Sequence, residues 1–218
     1  MTLTIHADPI SVNCRKVLAG LELIGAPYTL ARVDYFAGEH KAPAYLALNP
    51  NGTLPTLTDA SCDLTLWESN AILQYAADQQ QRADLYPTEL TARANINRWL
   101  LWEAASWFPA CYLYLVENCA KPLMGETPDS AVLAAHQETF DLLAGILDQQ
   151  LARTTWLCGD AITIADIAVA APLHMHEAAA IPLADHPHLH RWMTGAIEPL
   201  PCWQSTYVGP GFTTERPE

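Results

Sequence analysis

"LNPNGTLPTLTDASCDLTLWESNAILQYAAD", residues 48–78, is the stretch on which the reading of this chain turns. "LPTLTD" (54–59) and "DLTLW" (63–67) each read as a short strand, with the turn-rich "DASCD" between them. Glu68 to Asp78 then carries a helical pattern, so the stretch is a hairpin leading into a helix. Upstream, "TLTIH" (2–6) alternates Leu3 and Ile5 as a half-buried strand does. Asn13 to Ile24 has apolar residues at 17, 18, 21 and 24, and Gly25 stands where a left-handed residue ends a helix cheaply. "YTLARV" (28–33) is a second strand, and "HKAPAYLALNP" holds a short helix that stops before Pro50. The order β-α-β-α-β-β-α is complete within the first 80 residues.

Beyond residue 80 the pattern changes. A linker lies within the polar "DQQQRADLYPTE" (78–89), and the chain after it is helical. One helical pattern runs from about Glu89 to Cys119, with a kink expected at Pro109. Another spans Pro128 to Ala152, and a third opens at "ITIADIAVA". There Thr163 is the expected N-cap, Asp166 the acid of a capping box, and Ile162 and Ile167 a hydrophobic staple. A last helix covers about Pro187 to Ile197, and "PGFTTERPE" (210–218) reads as a loose tail.

Bulk properties narrow the function. The 218-residue chain has a net charge of −13, which repels nucleic-acid phosphates and anionic lipid, so neither is an expected partner. Asp8, Asn13 and Arg15 interrupt any secretory signal. The most apolar segment, Ala161 to Leu173, contains Asp166 and is too short to span a bilayer. The six cysteines are irregularly spaced, as expected of reduced thiols in the cytoplasm.

Between the first strand and helix lies "ISVNCRKV" (10–17). C-x-x-C in that place would be a redox motif, but here Ser11 replaces the first cysteine. "LNPNGTLPTLTD", "LTLWESNAILQYAAD" and "WLCGDAITIADIAVAAPL", in that order and at their distances, resemble landmarks of the glutathione transferase family. "HADPISVNCRKVLAGLELIGAPY" (6–28) most resembles theta-like and related bacterial members with an S-x-N pattern. The resemblance covers about residues 2–200. It implies an α/β thioredoxin-like N-terminal domain that binds glutathione (1–80) and an all-α C-terminal helical domain that contributes the electrophile pocket (88–218).

By this resemblance Ser11 hydrogen-bonds the glutathione sulfur. A free thiol has a pKa near ~8.5, and a neutral-pH thiolate needs roughly 1.5 units, or ~2 kcal/mol. One hydrogen bond to a charged acceptor supplies ~1.5–3 kcal/mol and a helix N-terminus ~0.3–1 more. The borrowed thiol therefore removes the need for a protein sulfur. Asn13 is the competing donor, and both residues have N-capping as their plain structural alternative. Cys14 is expected to point into the domain.

Pro55 fits a cis-proline, with the Leu54 backbone pairing the cysteinyl part of glutathione like an added strand. Ser69 would offer its hydroxyl and N–H to the γ-glutamyl carboxylate, and Glu68 would take the amino group; plain N-capping by Ser69 needs the same geometry. His40 and Lys41 match the place that holds the glycine carboxylate, against the alternative of a solvated cation pair. Asn97 stands where the family pattern has an acid that reaches the partner subunit's glutathione.

Trp99, Trp102, Trp107, Phe108, Tyr112 and Tyr114 crowd the long helix; Phe108 and Tyr112 are the electrophile-pocket candidates, and Tyr207 and Phe212 could cover that pocket. "HMH" (174–176) and "HPHLH" (186–190) lack metal-ligand spacing, so no metal is expected. The expected activity is transfer of glutathione to a small electrophile by a homodimer, in detoxification. The alternatives are a glutathione-dependent disulfide or peroxide reductase that uses Asn13 or Cys14, and a non-catalytic binding module.

Overall fold

The computed structural model describes residues 3–207; Phe212 and the tail from 210 onward lie outside the described residues. The first part is a four-stranded sheet of order β2-β1-β3-β4: β1 (Leu3–Ala7), β2 (Tyr28–Arg32), β3 (Thr56–Asp59) and β4 (Leu64–Trp67). β1 runs parallel to β2, with Leu3 opposite Tyr28, and antiparallel to β3, with Ile5 opposite Leu57. β3 and β4 form the antiparallel hairpin, pairing Leu57 with Leu66. The alternation in β1 is as expected: Leu3 and Ile5 are buried.

α1 (Val12–Ile24), α2 (Pro43–Leu46) and α3 (Ser69–Gln79) fill the connections. α1 buries the expected Val17, Leu18, Leu21 and Ile24. It ends where Gly25 adopts φ 75°, with the Gly25 and Ala26 N–H groups returning to the Leu21 carbonyl at 2.9 and 3.0 Å. α1 also buries Cys14, Arg15 and Lys16, because α3 and the later helical part both pack on it. A β-carbon at Gly20 would collide with the Leu73 side chain, so the glycine sets how closely α1 and α3 approach.

The remainder is helical: α4 (Leu90–Trp102), α5 (Phe108–Leu115), α6 (Lys121–Leu123), α7 (Ser130–Leu151), α8 (Ile164–Ala170), α9 (Pro187–Trp192) and α10 (Pro201–Gln204). The long pattern from Glu89 does not break at Pro109. A π turn, Glu103–Trp107, joins α4 to α5, and Trp102, Glu103, Trp107 and Phe108 all keep right-handed helical angles. A proline lacks a donor, and its ring collides with the carbonyl four residues back. Inserting one residue into the ladder, with the Phe108 N–H bonded to the Glu103 carbonyl, takes up both defects. A second π turn, Val116–Ala120, precedes Pro122 in the same way.

α8 opens with the expected capping box. Asp166 accepts from the Thr163 N–H at 2.8 Å and the Thr163 hydroxyl at 3.0 Å, and Thr163 Oγ1 accepts from the Ala165 N–H at 3.3 Å. Asp166 also accepts from the Leu157 N–H at 2.9 Å, and its burial raises its pKa from 3.8 to about 6.

Candidate active site

The start of α1 faces the start of α3 across the sheet end. Ser11 occupies the N-cap position with extended backbone, its carbonyl accepting from the Arg15 N–H at 2.9 Å, but its side chain makes no capping bond. The hydroxyl therefore stays available for other partners, one of which is the Cys14 thiol. That thiol is fully buried, and burial pushes it up to about 12 against the smaller lowering by the Asp8 backbone and Ser11. Cys14 is thus neutral and inert at ordinary pH. Asp8, which sequence reasoning passed over, shapes this corner by accepting from the Ile10 N–H at 3.2 Å and the Tyr35 N–H at 3.0 Å.

Asn13 and Ser69 come together: the Ser69 hydroxyl donates to Asn13 Oδ1 at 3.3 Å. With Oδ1 engaged, the Asn13 amide nitrogen is the group it has left to offer. Ser69 is the first residue of α3, and its side chain is not a cap. Glu68 holds the N-cap position at φ 73°, a costly backbone for a non-glycine residue, which turns the chain sharply into the helix.

Behind Ser69 lies a group that the sequence did not disclose. Lys16, fully buried, donates to Ser69 Oγ at 3.1 Å and to Glu103 Oε2 at 2.7 Å. Asn70 Nδ2 donates to the same Glu103 oxygen at 2.9 Å and to the Leu100 carbonyl at 2.8 Å. Burial lowers the Lys16 pKa, while Glu103 and Glu68 oppose the shift. Glu103 belongs to the first π turn, so the turn that accommodates Pro109 also brings this carboxylate to α1. Glu103 Oε1 and Asn70 Oδ1 are buried with no hydrogen-bond partner among the described residues.

The third wall is the loop before β3. The Leu54–Pro55 bond is cis, as expected. Thr53 is fixed through its carbonyl, which accepts from the Tyr45 hydroxyl at 2.6 Å and from Asn49 Nδ2 at 2.9 Å. Among the described residues no hydrogen bond uses the Leu54 main chain, which leaves it open to an added strand. Lys41, an exposed residue, donates to the Gly52 carbonyl at 2.7 Å, which ties its side chain to this loop. His40 lies in the 3-10 turn Glu39–Lys41, its ring stacked on Tyr35 at 4.7 Å, with Nδ1 buried and without a hydrogen-bond partner among the described residues.

Tyr35 joins the two parts of the chain. It lies close enough to Tyr112 to act on it: burial, then Tyr35, raises the Tyr112 pKa. Phe108 and Tyr112 stack on each other at 5.1 Å along α5. Trp99, Trp107 and Tyr114 are buried in the helical core instead, with Trp107 Nε1 donating to the Val169 carbonyl at 2.9 Å. Asn97 Oδ1 is occupied within the chain, accepting from Gln74 Nε2 at 2.7 Å and the Tyr86 hydroxyl at 2.9 Å. His176 pairs with Glu198 at 3.0 Å and His186 with Asp141 at 3.4 Å. Among the described residues no group of three or more His, Cys, Asp or Glu is placed to hold a metal ion.

Lys16, Glu103, Asn70, Asp8 and Tyr35 are what sequence reasoning missed. The one signal was two adjacent cations, Arg15 and Lys16, inside an otherwise apolar helix.

Comparison with known proteins reproduces the same division. Residues 10–79 match the family described as "Glutathione S-transferase, N-terminal domain", and residues 113–198 match "Glutathione S-transferase, C-terminal domain". The chain is 34% identical to glutathione S-transferase 3 of Zea mays, over 94% of this chain and 92% of that one. It is 33% identical to glutathione S-transferase GstB of Escherichia coli, over 87% and 90%. The structure of the theta class glutathione S-transferase of Xanthomonas axonopodis pv. citri, with glutathione bound, superposes with a TM-score of 0.85 at 32% identity, covering 95% and 98%.

Proposed function

Because this chain belongs to the glutathione S-transferase family, we propose an assignment of its residues to the steps of the transfer. The activity is that of a glutathione S-transferase, with glutathione as co-substrate. Residues 1–80 bind glutathione in this proposal, and residues 88–218 supply the electrophile pocket. The Leu54 main chain beside cis-Pro55 receives the cysteinyl backbone. The Ser69 hydroxyl, its proton turned from Asn13 Oδ1 to the ligand, and the first N–H groups of α3 receive the γ-glutamyl carboxylate, with the Lys16 charge behind them, and Glu68 takes the amino group. His40 and Lys41 take the glycine carboxylate.

The sulfur then lies at the start of α1. The Ser11 hydroxyl donates to the thiolate, and Asn13 Nδ2 is the second donor. The thiolate attacks an electrophilic carbon held against Phe108 and Tyr112, with Tyr35 closing the gap between the two parts. What carries this reading is the convergence of Ser11, Asn13 and Ser69 at two facing helix starts. The buried, high-pKa Cys14 removes the sulfur that a reductase would need from that helix.

A theta-like bacterial subclass is supported by the Ser11-x-Asn13 pattern and the likeness to the Xanthomonas enzyme. A homodimer is proposed with it; Leu101 of α4, 72% exposed, is apolar surface that a second copy would cover. Detoxification in the cytoplasm fits six free cysteines and the finding that no helix among the described residues is long and apolar enough to cross a membrane.

The test separates the two donors. Ser11→Ala should raise the pKa of bound glutathione by about one unit or more, read from thiolate absorbance, and lower kcat about tenfold or more. Asn13→Ala, which also frees the Ser69 hydroxyl, should act mainly on KM for glutathione. An unchanged thiolate pKa in Ser11→Ala with a raised one in Asn13→Ala would reverse the assignment.

A further inference from the structure

Arg15 and Lys16 are adjacent buried cations near the start of α1, and the transfer as assigned uses only Lys16. Arg15 has no ion pair among the described residues. Its guanidinium turns instead to a segment 188 to 191 positions along the chain. Nη1 donates to the Thr206 carbonyl at 2.6 Å, and Nη2 to the Trp203 carbonyl at 2.9 Å. The Trp203 and Tyr207 rings lie 4.6 and 5.2 Å from the guanidinium carbon. Nε has no hydrogen-bond partner among the described residues, so the two-carbonyl fork sets the side chain's place.

The acceptor is itself an ordered turn. Cys202 and Trp203 of α10 are buried. Thr206 Oγ1 donates to the Cys202 carbonyl at 2.9 Å, and the Tyr207 N–H to the Gln204 carbonyl at 3.1 Å. On its other side Arg15 meets the site. Its main-chain N–H donates to the Ser11 carbonyl at 2.9 Å, the bond that closes the first turn of α1. The Ser11 hydroxyl does not cap that turn, so the turn depends on what is packed against it. The far end of α1 is held by a second arginine, with Arg82 Nη1 donating to the Leu23 and Ile24 carbonyls at 3.1 and 2.6 Å. Each end of the helix is thus tied by a guanidinium, and only the Arg15 end carries Ser11 and Asn13.

We propose that Arg15 is a positioning residue for the transfer: it braces the first turn of α1 against the turn at 203–207 and so sets where the Ser11 hydroxyl meets the glutathione sulfur. This role rests on the proposed reading of Ser11 and Asn13 as the donors to that sulfur. It makes the last described turn of the chain a support of the active site. The action is geometric, because a lysine ammonium keeps the charge but cannot reproduce a planar fork between two carbonyls and two aromatic rings.

The test uses the full chain and three variants: Arg15→Lys, Tyr207→Leu and, at the other end of α1, Arg82→Lys. Arg15→Lys should raise the pKa of bound glutathione by about half a unit or more, read from thiolate absorbance, and lower kcat about tenfold. KM for glutathione should stay within about twofold, since the groups assigned to its carboxylates lie on other elements. Amide hydrogens of residues 15–18 should exchange about tenfold faster. Tyr207→Leu, which leaves α1 itself intact, should shift the same readouts in the same direction by less, and it decides the matter should Arg15→Lys fail to fold. Arg82→Lys should lower stability while thiolate pKa and kcat stay as in wild type. A wild-type thiolate pKa in Arg15→Lys and Tyr207→Leu would overturn the proposal. So would an equal shift in Arg82→Lys, which would reduce both arginines to general supports of the helix. Absence of a glutathione thiolate in the wild type would count against the functional reading instead, and faster exchange at 15–18 in Arg15→Lys but not in Arg82→Lys would still establish the brace.

Discussion

Among the described residues, two carboxylates of the helical part are fully buried, and they hold different things together. Asp166 ties a segment to itself: its partners are Thr163 and Leu157, three and nine residues away. Glu103 ties the two parts of the chain: it reaches Asn70 across 33 positions and Lys16 across 87. Asp166 is met by uncharged donors alone, and burial lifts its pKa to about 6. Glu103 is met by a buried ammonium at 2.7 Å. Asp166 therefore matters for the helix it starts. Glu103 matters for the geometry of Ser69 and, through it, for glutathione.

The largest expected effect comes from breaking the longer connection. Glu103→Ala leaves Lys16 buried without its counter-charge and should cost about 3–5 kcal/mol, read from urea unfolding. The double variant Lys16→Met/Glu103→Leu removes both charges and should regain most of that stability. It should not regain glutathione affinity: without Lys16 the Ser69 hydroxyl loses a donor, and KM for glutathione should rise about tenfold. A wild-type KM in the double variant would reduce Lys16 to a structural part.

Asp166→Ala should come next. The Leu157 and Thr163 N–H groups lose their acceptor inside the core, for a cost of about 2–3 kcal/mol. KM for glutathione should stay as in wild type, because no partner of Asp166 touches the site. A shift in KM would mean that the two networks are coupled through α4 and α8.

The same contrast explains which features are legible in the sequence. Thr163 and Asp166 stand three apart, so the capping box is written in adjacent residues. The strands and helices of the first part, the end of α1 at Gly25 and the cis bond at Pro55 are likewise accessible from local pattern and motif. Ser11, Asn13, Leu54, Glu68 and Ser69 stand out because each sits at a turn or helix start with a limited set of roles. Lys16 and Glu103 escape because nothing in either neighbourhood names the other. Their meeting depends on the packing of α1 against the π turn, and Pro109 marks a helix defect in the sequence without naming what that defect brings to α1. Tyr35 escapes for a similar reason: its importance lies in stacking on His40 and approaching Tyr112, neither of which its sequence neighbours specify.

The smallest effect, and the finest test of the difference, is in pH. Asp166 has its pKa raised from 3.8 to about 6 by burial, against the hydrogen bonds from Leu157 and Thr163 that lower it. Between those values the unfolded chain has released the proton and the native one has not, so this group's contribution to stability is lost as pH rises. Two units correspond to about 3 kcal/mol. His174 works the other way in the same window. Burial, with the Arg15 charge, lowers it from 6.5 to about 4, so its contribution is lost as pH falls. Asp59 does not interfere, because hydrogen bonds from Ser61 and Tyr75 hold it at about 2 and it is ionised in the native state throughout. His6, Glu89 and Glu117, also lowered, add to the His174 slope, so the wild type should show an unfolding midpoint from about pH 4 to 6 whose rise Asp166 flattens. Asp166→Asn, which cannot titrate, should be less stable at neutral pH yet show a midpoint that climbs more steeply with pH, exposing the combined slope of His174 and the other lowered groups, His6, Glu89 and Glu117. Parallel curves for the two proteins would mean that the Asp166 carboxyl ionises as readily in the fold as outside it, and that its hydrogen bonds balance its burial.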